Sequence, residues 1–172
     1  MPFIHLHVHS YFSFYDGTAG VEQLVRRAAE LGMPALALTD YNGVYGAVRF
    51  IETARAVGIK PIIGAEVTVD EAGKLVLLAR NLKGYANLCR IISDAMMSDP
   101  FEPLVTRESL SVNSGELFAL LGNPLGDPLK DGEKKTANRL AGAYLDIFGK
   151  DSLVIELQNH GLPGDRERLQ SL

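Results

Sequence analysis

Residues 34–40, Pro34-Ala35-Leu36-Ala37-Leu38-Thr39-Asp40, form a short apolar run opened by a proline and closed by an acid, and they read as a buried strand. A helix is predicted on each side of it. Upstream, Val21, Leu24, Val25, Ala28 and Leu31 mark an apolar face over Ala19–Leu31, with Thr18 as N-cap and Gly32 as the stop. Downstream, Val44, Val48, Ile51 and Ala54 trace a second helix ending near Gly58. Working outward, Phe3–Val8 reads as the first strand and Lys60–Val69 as the third; the turn Asp70-Glu71-Ala72-Gly73 lets Leu75–Ala79 pair back as a hairpin. Next come a helix over Gly84–Met97, a Pro-containing surface excursion over Ser98–Ser114 with a helical turn around Thr106–Leu110, and a strand over Glu116–Leu121. A loop over Asn123–Gly132, a helix over Glu133–Phe148, a strand over Ser152–Leu157 and the start of a helix over Asp165–Leu172 complete the pattern. Strands alternating with helices predict an α/β fold on a mainly parallel sheet, either doubly wound or closed into a β/α barrel. Six strands and an abrupt end point to a barrel that is incomplete at its C-terminal end. No linker or repeat divides the chain, so residues 1–172 are expected to be one domain.

Composition narrows the function. Seventeen basic and 21 acidic residues leave a net charge of -4, which argues against a chain built mainly to neutralise a phosphate backbone. No apolar stretch approaches the ~20 residues of a membrane-spanning helix, and the first residues lack a secretory pattern; a cytoplasmic address with no membrane partner is expected. The single cysteine, Cys89, excludes an internal disulfide or a thiolate cage. It lies beside the Leu88-Ile91-Ile92-Ala95 face and reads as a small core residue. Any metal must therefore be held by histidine, carboxylate and water.

The strongest local signal is His5-Leu6-His7-Val8-His9-Ser10. Strand alternation puts the three imidazoles on one face and Ile4, Leu6 and Val8 on the other. Successive imidazoles stand roughly 7 Å apart at the backbone, near enough to converge on one cation. Asp40 and Glu66 sit at or near strand ends, Asn159 and His160 follow the last strand, and Asp16 lies in a loop before Gly17. Parallel α/β folds gather such strand ends at one mouth. Taken singly, Asp40 reads as a helix-capping or loop-ordering carboxylate and Glu66 as a paired structural charge; convergence with the histidines favours a metal site. Such ligands suit Zn²⁺, Mn²⁺ or Fe²⁺, and ions about 4 Å apart would favour phosphoester hydrolysis. The aromatic run Tyr11-Phe12-Ser13-Phe14-Tyr15 is expected to plug its rings into the barrel mouth, with stacking on single-stranded DNA as the alternative.

His7-Val8-His9-Ser10, the Tyr11–Gly17 segment, Leu38-Thr39-Asp40 with Gly43 and Gly46, and Gly64-Ala65-Glu66 resemble the PHP (polymerase and histidinol phosphatase) family. Within it, Leu75–Ile92 and Glu156–Gly164 look like the amino-terminal domain of bacterial C-family DNA polymerases, the replicative alpha subunits and their error-prone relatives. The resemblance implies a distorted seven-stranded β/α barrel with up to three metal ions, and phosphoesterase or 3′→5′ exonuclease activity in members that keep every ligand. It implies His7, His9, Asp16, Glu66 and His160 as ligands, with Asp40 behind them orienting a ligand and His5 outside the set. Tyr41 stands where the family has a histidine, Gly122-Asn123 where many polymerase members have cysteine or histidine, and the closing Asp-x-His would lie past Leu172. Fewer ions and weak or no hydrolysis are the expectation, with the remainder of a polymerase as partner, DNA reached through it and no small-molecule cofactor. A free-standing phosphoesterase of the histidinol-phosphatase kind and a non-catalytic interaction module are the alternatives.

Overall fold

The computed structural model of the chain describes residues 3–70, 73–122, 134–158 and 161, with only the backbone of 134–137. In chain order these form α1 (Val21–Glu30), β1 (Ala35–Leu38), α2 (Ala47–Ala56), β2 (Lys60–Val69), β3 (Gly73–Ala79), α3 (Leu82–Ser98), α4 (Arg107–Asn113), β4 (Leu117–Leu121), α5 (Lys134–Phe148) and β5 (Leu153–Ile155). The expected loop 123–132 and terminal helix 165–172 lie outside the described residues.

The strands make one sheet in sequential order. β1 is parallel to β2 and β4 to β5, whereas β2–β3 and β3–β4 are antiparallel. The sheet is mixed rather than mainly parallel because Gly73, at φ 78°, closes a tight β2–β3 hairpin. Residue alternation sorts its two faces. Ile63, Ala65, Val67 and Val69 of β2, with Leu36 and Leu38 of β1 and Leu75, Leu77, Leu117, Ala119 and Leu121 of β3 and β4, face the helices. α1 and α2 cover the β1 end, and α3, α4 and α5 the rest. Ala37, Ile62, Val76, Leu78, Phe118 and Leu120 form the opposite face. Among the described residues the helices lie on one face only, which is the arrangement of a partial β/α barrel and not of a doubly wound sheet.

Two expectations change at this level. Phe3–Val8 does not enter the ladder. It runs beside β1 on isolated bonds, Ala37 N–H to His5 O at 2.9 Å and Thr39 N–H to Val8 O at 2.9 Å, and without a regular pleat Ile4 and Leu6 turn to the same cleft as the histidines. Helix α1 is capped by Gly20, whose N–H is taken by Gln23 Oε1 at 3.0 Å, not by Thr18. The 98–114 excursion is largely exposed, as expected, but it is pinned to the core rather than detached: Val105 bridges Val69, and Val105 and Leu110 are buried in the cluster that includes α3.

Candidate metal centre

The inner face of the sheet is anchored at its β1 end by Thr39. Its hydroxyl accepts the Val8 N–H at 2.8 Å and donates to Val8 O at 3.1 Å, fixing the residue between His7 and His9. Beyond β1 the chain keeps pairing with β2: Tyr41 bridges Glu66, and Asn42 N–H reaches Glu66 O at 2.8 Å. These contacts bring the imidazoles over the Glu66 carboxylate, which is almost fully buried.

His7 Nε2 lies 3.3 Å and His9 Nε2 3.0 Å from the same oxygen, Glu66 Oε2. The ligand atoms of His7, His9 and Glu66 all fall within 4.8 Å of one another. Each ring carries a carboxylate on its far nitrogen. His7 Nδ1 faces Glu156 Oε1 at 3.0 Å and Oε2 at 3.1 Å, and His9 Nδ1 is held by Asp16 Oδ2. Gln158 Nε2 adds a contact to Glu156 Oε2 at 3.0 Å. A carboxylate behind a histidine fixes its tautomer and leaves the other nitrogen's lone pair for a cation. His9 Nε2 is buried with no hydrogen-bond partner, 3.0 Å from Glu66 Oε2. Two imidazoles and a carboxylate meeting at one point, one nitrogen orphaned, fit a divalent cation of the Zn²⁺, Mn²⁺ or Fe²⁺ kind.

Without an ion, protons hold this cluster together. Burial alone lowers the His7 imidazole, but the hydrogen bonds and charges of Glu156 and Glu66 outweigh it and raise it to about 9. His9 shows the same contest and also moves up, through Glu66 and Asp16. Burial pushes Glu66 upward, while His7 and His9 pull it down further, to about 2. Asp16 is lowered by His9 and by the Tyr41 hydroxyl, which donates to its Oδ2 at 3.0 Å. Tyr41 is raised by burial and by the Glu66 charge, so its phenol stays a donor at neutral pH.

Asp40 is buried, its backbone O accepts the Glu66 N–H at 3.2 Å, and its carboxylate is turned to the preceding loop. It accepts Ser10 N–H at 2.6 Å, Ser10 Oγ at 2.8 Å and Ser13 Oγ at 2.7 Å. It thus orders the 10–17 loop that presents Asp16, rather than orienting a ligand directly. Gly17 completes the loop, because a Cβ there would lie 1.9 Å from Ser10 O. His5 stands apart, edge-on to Phe3. His160, Asn159 and Asn123 lie outside the described residues. The aromatic loop does not plug the mouth: Phe14 and Tyr15 are exposed, and only Phe12 packs inward. Cys89 is half-buried. Glu156 and Gln158 are the residues that sequence reasoning passed over, although Glu156 follows β5 as Asp40 follows β1 and the same strand-end rule marks it. The whole arrangement opens into a cleft of about 610 Å³ whose other wall is apolar, from Ile4, Leu6, Leu120 and Val154.

A one-sided α/β sheet with a histidine–carboxylate cluster on its uncovered face defines a partial β/α barrel with a candidate metal centre. The chain belongs to the PHP domain family, whose profile matches residues 5–160. It is 39% identical over 186 residues to an error-prone DNA polymerase of Symbiobacterium thermophilum, covering 96% of this chain and 17% of that protein. It is 37% identical over 185 residues to the DNA polymerase III subunit alpha of Treponema pallidum, covering 97% and 16%. This chain thus spans about one-sixth of the length of these curated relatives. Among solved structures it resembles a Bifidobacterium adolescentis protein described as a metal-dependent phosphoesterase (TM-score 0.58, 19% identity, 98% of this chain and 81% of that one). It also resembles an amidohydrolase from Chromobacterium violaceum solved with bound sulfate and no metal (TM-score 0.65, 16% identity, 97% and 80%). At these identities the two structures speak for the fold alone.

Proposed function

We propose that residues 1–172 are the amino-terminal PHP domain of a C-family DNA polymerase, and that it binds a divalent metal ion and retains weak phosphoesterase activity of the 3′→5′ exonuclease type. The observation that carries this reading is the meeting of His7 Nε2, His9 Nε2 and Glu66 Oε2 around one point, with a carboxylate behind each ring. These three residues would hold the ion; the family resemblance adds Asp16, here engaged by His9 and Tyr41, and His160 as donors to a further ion. A bound ion would supply a water of lowered pKa and charge to offset a phosphoester's oxygens. The chain's own part is mechanical and electrostatic. Thr39 and Asp40 hold the histidine segment and the Asp16 loop in register, Glu156 sets the His7 ring, and the apolar wall limits water on one side of the cleft. DNA synthesis would belong to the larger polymerase, located in the cytoplasm, with this domain reaching DNA through it.

Tyr41 favours a second reading, a structural module with a vestigial centre, because its hydroxyl satisfies Asp16 without any ion. Metal analysis of the purified chain beside His7→Ala and Glu66→Ala, followed by degradation of a 3′-labelled single strand, tests both. The proposal expects Zn²⁺ or Mn²⁺ in the parent, loss in both variants, and slow metal-dependent shortening of the strand. A parent that binds no ion leaves the structural module. Release of phosphate from histidinol phosphate with the strand untouched would instead indicate a phosphomonoesterase.

A further inference from the structure

The β2–β3 register pairs Glu66 with Val76 and Thr68 with Lys74, so Lys74 stands on the inner face one row beyond Glu66. Its ammonium lies 3.6 Å from the centroid of the Tyr41 ring. That ring packs at 4.3 Å from the His9 ring, and its hydroxyl donates to Asp16 Oδ2, the oxygen that also holds His9 Nδ1. Asp16 Oδ2 therefore already has two donors. Among the described residues no carboxylate pairs with Lys74 at salt-bridge distance. An aromatic face, not an acid, holds the ammonium beside a cluster that contains Glu66, Asp16 and Glu156. Only the Tyr41 ring stands between the ammonium and the His9 ring of that cluster.

We propose that Lys74, seated on Tyr41, is a tethered cation of this centre that closes its Asp16 side to metal and weakens divalent-cation binding at the His7–His9–Glu66 donors. Two physical effects act together. A fixed positive charge beside a partly buried acidic site opposes a second one. The phenol occupies the carboxylate oxygen that a further ion would need. The inference rests on the metal-binding reading given above.

Zn²⁺ titration of the 172-residue chain by chelator competition tests it, with Lys74→Met, Lys74→Arg, Tyr41→Phe and Lys83→Met alongside. Lys74→Met is expected to bind Zn²⁺ about tenfold tighter, since it keeps the length of the side chain and removes the charge. Tyr41→Phe should bind more tightly than the parent by a smaller factor, having freed Asp16 while keeping the ring under the ammonium. Lys74→Arg and Lys83→Met, the latter removing the same charge from the exposed first turn of α3, should match the parent. A Lys74→Met constant equal to or weaker than the parent's overturns the role of Lys74 and leaves the metal site standing. Absence of Zn²⁺ binding in every protein overturns both.

Discussion

At the scale of single residues, the buried side chains of Tyr144 and Asp40 stand in opposite situations. Tyr144 sits in the main core beside Phe148, and its hydroxyl finds no partner. Burial pushes the phenol up to about 12 against a smaller downward pull from the Arg107 charge. A buried hydroxyl left unsatisfied costs about 1–3 kcal/mol, so Tyr144→Phe should raise stability by about 1 kcal/mol in urea denaturation with an unchanged slope. Asp40 is the reverse, a buried carboxylate satisfied by three donors from Ser10 and Ser13. Asp40→Ala strands those donors and should cost about 2–4 kcal/mol. It should also speed amide exchange over residues 10–17, since the loop loses its anchor; exchange unchanged there would mean that the loop is held by its backbone bonds alone. The position of Asp40 after an apolar strand was enough to read it as a loop-ordering acid. Its three partners were not legible, because Ser10 and Ser13 approach it only through the fold of the loop.

At the scale of elements, most helices and strands follow from apolar spacing, and the exceptions share a cause: contacts between distant segments. The Lys60–Val69 and Leu75–Ala79 runs are strands in the structure nearly as spaced, and the acid-rich turn ending in Gly73 makes them a hairpin. The stretch 98–114 reads as surface because of Pro100 and Pro103 and is largely exposed, yet Val105 and Leu110 pin it to the core. Such isolated apolar positions carry no period. In the centre, His7, His9 and Glu66 were visible as strand-end residues, whereas Glu156 was obscured by the more conspicuous histidine four residues later. Gly84 shows what element packing demands of sequence. It lies in the first turn of α3, where a Cβ would come 2.0 Å from Glu116 O, the carbonyl that also accepts the Arg80 N–H at 3.0 Å. Gly84→Ala must push α3 away from the entry to β4, at a cost of about 2–3 kcal/mol. Thermal unfolding should show a lower midpoint, and a midpoint equal to the parent's would mean that the Glu116 turn yields freely.

At the scale of the whole molecule, the centre ties stability to pH, and the sign follows from its two best-defined groups. His7 is raised from 6.5 to about 9 in the folded chain, so its contribution is fully present below about pH 6.5 and is lost as pH climbs through 9. His9, also raised, acts in the same direction. Glu66 is lowered from 4.5 to about 2, so its contribution is present above about pH 4.5 and is lost as pH falls toward 2. The metal-free chain should therefore be most stable between about pH 4.5 and 6.5 and should weaken on the alkaline side as pH climbs toward 9. A divalent ion reverses the alkaline loss, because it binds the deprotonated rings and displaces the protons that otherwise join them to Glu66. Saturating Zn²⁺ at a hundredfold excess over its dissociation constant adds about 2.7 kcal/mol, and the addition should shrink as acid returns the protons. Unfolding midpoints measured from pH 4 to pH 9, once with chelator and once with Zn²⁺, should thus trace two curves that separate with rising pH. Curves that stay parallel throughout would mean that zinc binds elsewhere, away from the histidines.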